Sequence, residues 1–323
     1  MSSVKVLFLP FRDIFSPWGD DVVAAVGDRH DLTIYDDAQP MAPQFAGVDV
    51  VIDQGGSAGT REMMDTATDT KLWQILGTGF DHVDLAYIKQ KGIPTSNTPG
   101  IFSRVALAET AMMFILMLAH KYRASYKSLH EGEMYNPLGI EIDRQTLGIL
   151  GFGASGQSLA IRAKAFGMRI MAIDVREIEQ ETLEAIQPDF LGTPEDMDQV
   201  VAESDYLSLH LHLNDQTHHI IDARLLKLMK QTACLINVAR GALVDEEALF
   251  QALVDGVIGG AGIDAYGQEP PDTTHPVFQL PNVVFTPHIA GVTDGTSRNR
   301  AACVAENVNR VAEGLEPLYR IDL

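Results

Sequence analysis

Gln145-Thr146-Leu147-Gly148-Ile149-Leu150 runs straight into Gly151-Phe152-Gly153-Ala154-Ser155-Gly156 in the middle of the chain. The first six residues read as a short buried strand and residues 157–166 as a helix. Arg169-Ile170-Met171-Ala172-Ile173 is a second strand, closed by Asp174, 18 residues beyond Gly156. Strand, glycine turn, helix, strand and acid in that order form the dinucleotide-binding fingerprint. Gly151 allows the tight turn, Gly153 clears the backbone for a pyrophosphate, and Gly156 lets the helix pack closely on the strand. The helix N-terminus offers free N–H groups and the positive end of its dipole to the phosphates. Asp174 suits the two ribose hydroxyls of NAD and repels a 2′-phosphate, so NAD is expected over NADP. The nearby Arg176 softens that preference.

Working outward, 323 residues fit two domains better than one, and 46% hydrophobic residues supply their cores. The apolar stretch 106–119 contains Glu109 and is too short to span a bilayer. Residues 1–5 lead directly into a strand-like run, from which no signal peptide is expected. Two cysteines, Cys234 and Cys303, give neither a disulfide framework nor a metal set, and a reducing cytoplasm is the expected location. The net charge of −20 argues against nucleic acid and anionic membrane as partners, and means that an anionic substrate needs a local cationic site.

Strands are expected at 4–10, 31–35, 48–52, 72–76 and 94–97, with a helix at 18–26, which is the alternation of a parallel sheet. Residues 103–122 read as one long helix with Ser103 as N-cap. Its apolar residues run almost all the way round, so it is expected between domains or between subunits. After the fingerprint, strands at 205–211, 233–237, 260–265 and 283–285 alternate with helices at 223–229 and 246–255. Six strands from Leu147 onward make a complete dinucleotide domain. A final helix at 295–313 is expected to cross back to the first domain. The fold class is therefore α/β with two Rossmann-like domains. A substrate domain of residues 1–100 is completed by 291–323, and an NAD-binding domain of residues 101–290 is inserted into it.

Three polar residues follow successive strands of the second series: Arg240, Glu269 and His288. Ligands of open parallel sheets bind at the carboxyl ends of strands, so the three can converge beside the nicotinamide. Arg240 offers a rigid fork of donors to a carboxylate. His288 can give a proton to a carbonyl oxygen as hydride arrives at the carbon, or take one back in reverse. Glu269, bonded to the imidazole, would fix its tautomer. Hydride transfer to a 2-oxo acid needs these parts and no metal.

With these residues the chain resembles the NAD-dependent D-2-hydroxyacid dehydrogenase family, which includes phosphoglycerate, glyoxylate/hydroxypyruvate and D-lactate dehydrogenases. The resemblance covers nearly the whole chain, through Gly77-Thr78-Gly79-Phe80-Asp81-His82-Val83-Asp84, Asn97-Thr98-Pro99-Gly100, the turn from Gly151 to Gly156, and the segments around Arg240, Glu269 and His288. It implies Arg240 on the substrate carboxylate, His288 as acid/base and Glu269 as its partner. Leu76, Gly77, Thr78 and Gly79 would offer N–H groups to the same carboxylate, with Thr78 also touching the cofactor. Ala154 and Ser155 would lie under the pyrophosphate and Asp264 would hold the carboxamide, with Leu211, Val238, Ala239 and Gly291 also lining the cofactor. It further implies a homodimer formed through the nucleotide domain and the long helix before it.

Departures narrow the substrate. His212 replaces the proline of a His-x-Pro-Leu pattern, giving His210-Leu211-His212-Leu213. His210 and His212 can face one way on a strand, as a metal pair would. Ile75 stands where phosphoglycerate-specific relatives carry an arginine, and no regulatory domain is expected after Leu323; both lower phosphoglycerate as the expected substrate. Gln54-Gly55-Gly56-Ser57 is expected to shape the substrate side, and Phe80, Ile101, Phe102 and Tyr135 are candidate walls. The leading expectation is an NADH-dependent reductase of small 2-oxo acids. The alternatives are a dinucleotide-regulated co-repressor module without essential turnover, and a formate- or phosphite-type dehydrogenase. Formate-specific relatives carry glutamine where Glu269 stands, which speaks against formate.

Overall fold

The computed structural model describes residues 3–11, 14–56 and 58–323. The chain divides into two compact units, Met1–Ser103 with Thr293–Leu323, and Arg104–Val292. In the first unit β1 (Lys5–Leu9), β2 (Asp31–Ile34), β3 (Val50–Gln54), β4 (Leu72–Leu76) and β5 (Thr95–Ser96) form a parallel sheet in the order β2-β1-β3-β4-β5. Every residue of β3 and β4 is buried. That is why these strands are mostly apolar, with Asp53, Gln54 and Gln74 as buried polar exceptions: helices cover both faces of a parallel sheet.

One cover is the C-terminal helix Asp294–Ala312. Its Ala301, Val304, Val308 and Val311 share a core with Val6, Phe8, Val22 and Val50. Beneath it Asn307, fully buried, donates to Gln74 Oε1 (2.7 Å) and to the Leu318 carbonyl (3.1 Å), and accepts from Leu318 N–H (2.7 Å). The chain then returns to the sheet edge. Ile321 N–H donates to the Thr95 carbonyl, and Thr95 N–H to Asp322 Oδ1.

The second unit holds seven parallel strands, not six. They are β6 (Thr146–Leu150), β7 (Arg169–Ile173), β8 (Phe190–Gly192), β9 (Tyr206–Leu209), β10 (Cys234–Asn237), β11 (Gly260–Ile263) and β12 (Val283–Phe285), in the order β12-β11-β10-β9-β6-β7-β8. The additional strand, β8, is a three-residue edge strand whose residues are all only partly buried, so it lacks the apolar run that marks its neighbours. The sheet reverses direction of growth between β6 and β9, the switch point where open α/β sheets bind ligands.

The long helix also differs from expectation. A 3-10 turn occupies Gly100–Phe102, Ser103 N–H donates to the Gly100 carbonyl, and the helix runs over Arg104–Ala119. Lys121 adopts a left-handed backbone (φ 48°), and a second helix, Tyr122–His130, leaves at 53°. Ala108, Ala111, Met112, Phe114 and Ile115 lie in the core of this unit together with Leu159, Ala160 and Ala163 of the helix Ala154–Ala165, while Val105 and Met113 stay exposed. No helix among the described residues is by itself long and apolar enough to cross a membrane.

Replacing Asn307 by Ala strands the Gln74 carbonyl oxygen and the Leu318 N–H in a dry interior, which costs about 2 kcal/mol. Urea unfolding is expected to show that loss, with the denaturant slope unchanged.

Candidate functional site

The glycine turn follows β6 at the switch point. Gly151 has φ 94°, a conformation that disfavours any side chain. A Cβ on Gly156 would lie 2.3 Å from the Gly151 carbonyl oxygen and 3.0 Å from Ile149 Cγ2, so only glycine lets the helix start this close to the strand. The helix then begins at Ala154, three residues earlier than the apolar pattern indicated. The N–H groups of Gly153, Ala154, Ser155 and Gly156 meet no acceptor among the described residues, whereas Gln157 N–H already donates to the Gly153 carbonyl. A turn of unmatched donors at a helix N-terminus is the chemistry a pyrophosphate requires, and the residues present fit NAD. Leu211 packs on the same turn, its Cδ2 3.1 Å from where a Gly151 side chain would begin.

Asp174 closes β7, with its side chain 6% exposed. Its Oδ2 accepts from Phe152 N–H (2.8 Å) and its Oδ1 from Arg176 N–H (2.9 Å). The Arg176 guanidinium spans both oxygens, Nε to Oδ1 at 3.0 Å and Nη2 to Oδ2 at 3.1 Å. Burial works against the charged carboxylate, but Arg176 and the two backbone donors hold it below the usual carboxylate range. The residue expected to receive the ribose hydroxyls is thus already paired with a cation.

Arg240, Glu269 and His288 follow the carboxyl ends of β10, β11 and β12, three neighbouring strands. Asn237 shapes the first turn: its Nδ2 donates to the Arg240 carbonyl (2.8 Å) and its Oδ1 accepts from Ala239 N–H (3.1 Å). Arg240 Nη1 donates to the Ala239 carbonyl at 2.9 Å. Val238 and Ala239 are buried beside it. His288 has a left-handed backbone (φ 54°), and its Nδ1 lies 2.8 Å from both oxygens of Glu269. This pairing leaves Nε2 as the outward nitrogen. Glu269 is held in turn by Tyr266 N–H (3.1 Å), and the Tyr266 hydroxyl donates to the Thr286 carbonyl (2.7 Å).

Asp264, 1% exposed, anchors the segment that carries His288. It accepts from the Thr286 hydroxyl (2.6 Å), Ile289 N–H (2.7 Å) and Ala290 N–H (2.8 Å), leaving about one of its four lone-pair positions for a carboxamide. Gly291 follows, partly exposed. The anchoring partners Thr286, Tyr266 and Asn237 lie within the segments around the three candidate residues, but nothing in the linear order marks which groups they bond.

In the first unit Leu76 ends β4 and Gly77-Thr78-Gly79 follows. The Thr78 hydroxyl donates to the Thr98 carbonyl (3.0 Å) and accepts from Arg300 Nη2 (3.2 Å), while Asn97 Nδ2 donates to the Thr78 carbonyl (2.9 Å). The N–H groups of Thr78 and Gly79 meet no acceptor among the described residues, as a carboxylate cradle requires. Asp53, fully buried at the end of β3, organises the glycine-rich loop after it. It accepts from Trp73 Nε1 (3.1 Å), Ala58 N–H (3.1 Å) and Gly59 N–H, while burial pushes its carboxyl up to about 6. Ser57 of that loop lies outside the described residues. Of the candidate walls, Phe80 packs on the core that contains Ile75, Phe102 stacks edge-on with Tyr319, Ile101 is half exposed and Tyr135 fully exposed.

His210 and His212 part company. The His210 ring sits between two serine hydroxyls, and His212 is exposed.

Residues 112–290 match the family described as D-isomer specific 2-hydroxyacid dehydrogenase, NAD binding domain. A glyoxylate reductase of Thermococcus litoralis is 36% identical over 266 residues, 80% of this chain and 78% of that one. A hydroxypyruvate reductase of Thermotoga maritima is 35% identical over 265 residues, 81% of this chain and 84% of that one. The crystal structure of a glyoxylate reductase from Paecilomyes thermophila superposes with a TM-score of 0.84 at 26% identity, covering 99% of each chain.

Replacing Asp174 by Ala removes the charge that repels a 2′-phosphate and releases Arg176 to meet one. Titration by nicotinamide fluorescence is expected to show NADH affinity falling, NADPH affinity rising and the gap between them narrowing. A wild type that already prefers NADPH would reverse this reading of Asp174.

Proposed function

This chain belongs to the D-isomer specific 2-hydroxyacid dehydrogenase family and is an NAD-dependent oxidoreductase, and on that footing we propose that it reduces small 2-oxo acids such as glyoxylate and hydroxypyruvate to D-2-hydroxy acids. The observation that carries the catalytic assignment is the Glu269–His288 pair, with Nδ1 held from both carboxylate oxygens at 2.8 Å. When bound, the reduced nicotinamide supplies hydride to the carbonyl carbon. His288 Nε2 gives the proton that the carbonyl oxygen gains, so the C=O bond becomes H–C–O–H. Glu269 keeps Nδ1 protonated and facing away from the substrate, and offsets the imidazolium charge before the proton leaves. Arg240 takes the substrate carboxylate on its guanidinium fork. In the reverse direction His288 takes the hydroxyl proton back.

The cofactor positions follow the same logic. Gly153, Ala154, Ser155 and Gly156 receive the pyrophosphate, Asp174 the adenosine ribose, and Val238, Ala239, Asp264 and Gly291 the nicotinamide side. The two cysteines are free and buried, which supports a reducing, cytoplasmic setting.

We further propose a homodimer. Tyr122, Tyr126, Leu129, Met134, Tyr135 and Leu138, all in or just after the helix Tyr122–His130, are exposed in a single chain, from 52% at Tyr122 to 100% at Tyr135. A cluster in sequence of exposed large apolar residues supports a protein interface there.

Purified protein with NADH is expected to oxidise it on glyoxylate or hydroxypyruvate, followed by nicotinamide absorbance. His288→Gln should lower kcat by about 10²–10⁴-fold while NADH binding persists. Near-normal turnover in that variant removes His288 from the mechanism. Saturable NADH binding without turnover on any 2-oxo acid would favour a regulatory module. Sedimentation should show a dimer, and Leu129→Asp with Leu138→Asp should give a monomer.

A further inference from the structure

His210 lies at the end of β9, with Nε2 3.0 Å from Ser208 Oγ and Nδ1 3.0 Å from Ser155 Oγ. Burial pulls the imidazole down to about 4, so the ring is neutral at physiological pH and has one N–H and one bare nitrogen. Two arrangements satisfy the geometry. In one, Ser208 donates to Nε2 and Nδ1–H donates to Ser155. In the other, Ser155 donates to Nδ1 and Nε2–H donates to Ser208. Ser208 is fully buried, and its hydroxyl meets no other partner among the described residues. The second arrangement therefore leaves the Ser208 proton without an acceptor in the interior, a costly defect. The first leaves only lone pairs unmatched there, and it frees the Ser155 proton. Ser155 is partly exposed in the first turn of the helix Ala154–Ala165, among the unmatched N–H groups of Ala154 and Gly156.

We propose that His210 is a positioning residue for the cofactor: by donating from Nδ1 to Ser155 Oγ, in a tautomer set by Ser208, it makes the Ser155 hydroxyl an outward donor to the pyrophosphate. This rests on the glycine turn being the pyrophosphate site. It also gives His210 a task unrelated to metal binding. A neutral imidazole gives directional control of the hydroxyl without placing a titrating charge in the core.

Two measurements test it, and the first needs no cofactor. Long-range ¹H–¹⁵N spectra of the histidine-labelled wild type are expected to show the His210 ring protonated at Nδ1 and bare at Nε2; the opposite tautomer overturns the proposal. The second is a double-mutant cycle read as Kd by fluorescence titration and, for ligands without fluorescence, by calorimetry. Ser155→Ala should raise the Kd of NADH and ADP about tenfold and leave that of adenosine, which has no phosphate, unchanged. His210→Gln, whose amide reaches Ser208 but not Ser155, should raise the same two constants by about threefold and add nothing in the Ser155→Ala background. Unchanged ADP binding in Ser155→Ala, or strictly additive effects, overturns it. Wild type that binds neither NADH nor ADP overturns the pyrophosphate reading and the proposal with it, whatever the tautomer.

Discussion

The acceptor set of Asp264 governs the loop that carries His288. Three strands deliver Arg240, Glu269 and His288 to one edge of the sheet, but a strand end fixes only where a loop begins. The path of the loop after β12 is set by Thr286, Ile289 and Ala290, which all donate to one buried carboxylate. A His288 backbone in the left-handed region is unfavourable for a residue with a side chain, and the surrounding bonds must over-determine it. With Ile289 and Ala290 pinned on one side and Glu269 gripping Nδ1 on the other, the imidazole has little freedom left.

The same device recurs elsewhere. Asp53 gathers Trp73, Ala58 and Gly59 at the end of β3, and Asp174 gathers Phe152 and Arg176 at the end of β7. In each case a carboxylate at a strand's carboxyl end accepts N–H groups that a turn would otherwise leave unpaired. Burying a charge carries a desolvation cost that only several donors offset. Asp53 has neutral donors alone and its carboxyl is pushed up to about 6, while Asp174 has a guanidinium as well and is held low. These acids trade stability for loops of defined shape, and those loops carry the binding and catalytic groups.

Strands buried on both faces, such as β3, β4 and β6, were legible as mostly apolar runs, because covering helices exclude water from the whole segment. The edge strand β8 was not legible, because partial burial leaves no hydrophobic signature over three residues. The helix break at Lys121 was equally hidden: composition is continuous from residue 104 to 119, and a lysine in a left-handed conformation carries no mark in the sequence. Short helices such as Arg61–Thr66 and Gln180–Ile186 span too few turns to establish a periodicity. The candidate catalytic groups were legible because their chemical types follow strand ends in a fixed order. How Asn237 and Tyr266 support them was not legible, because they act through the Arg240 and Thr286 carbonyls and through backbone N–H groups that no side-chain pattern displays.

The sequence by itself determined the class of protein. Two α/β series, a glycine turn after a strand, an acid at the next strand end and an Arg, Glu and His at later ones follow from local pattern, because hydrophobic periodicity and turn chemistry are properties of neighbours in the chain. Only the tertiary structure decided what each of these groups is bonded to. Asp174 is already paired with Arg176, Asp264 is mostly committed to the loop of His288, and His210 is enclosed by Ser155 and Ser208. Ser155 and Ser208 are 53 residues apart in the chain and meet one imidazole through the packing of β9 beside β6. Hydrogen bonds depend on distance and direction in space, and burial decides which of them must be satisfied, so these pairings exist only once the sheet has formed.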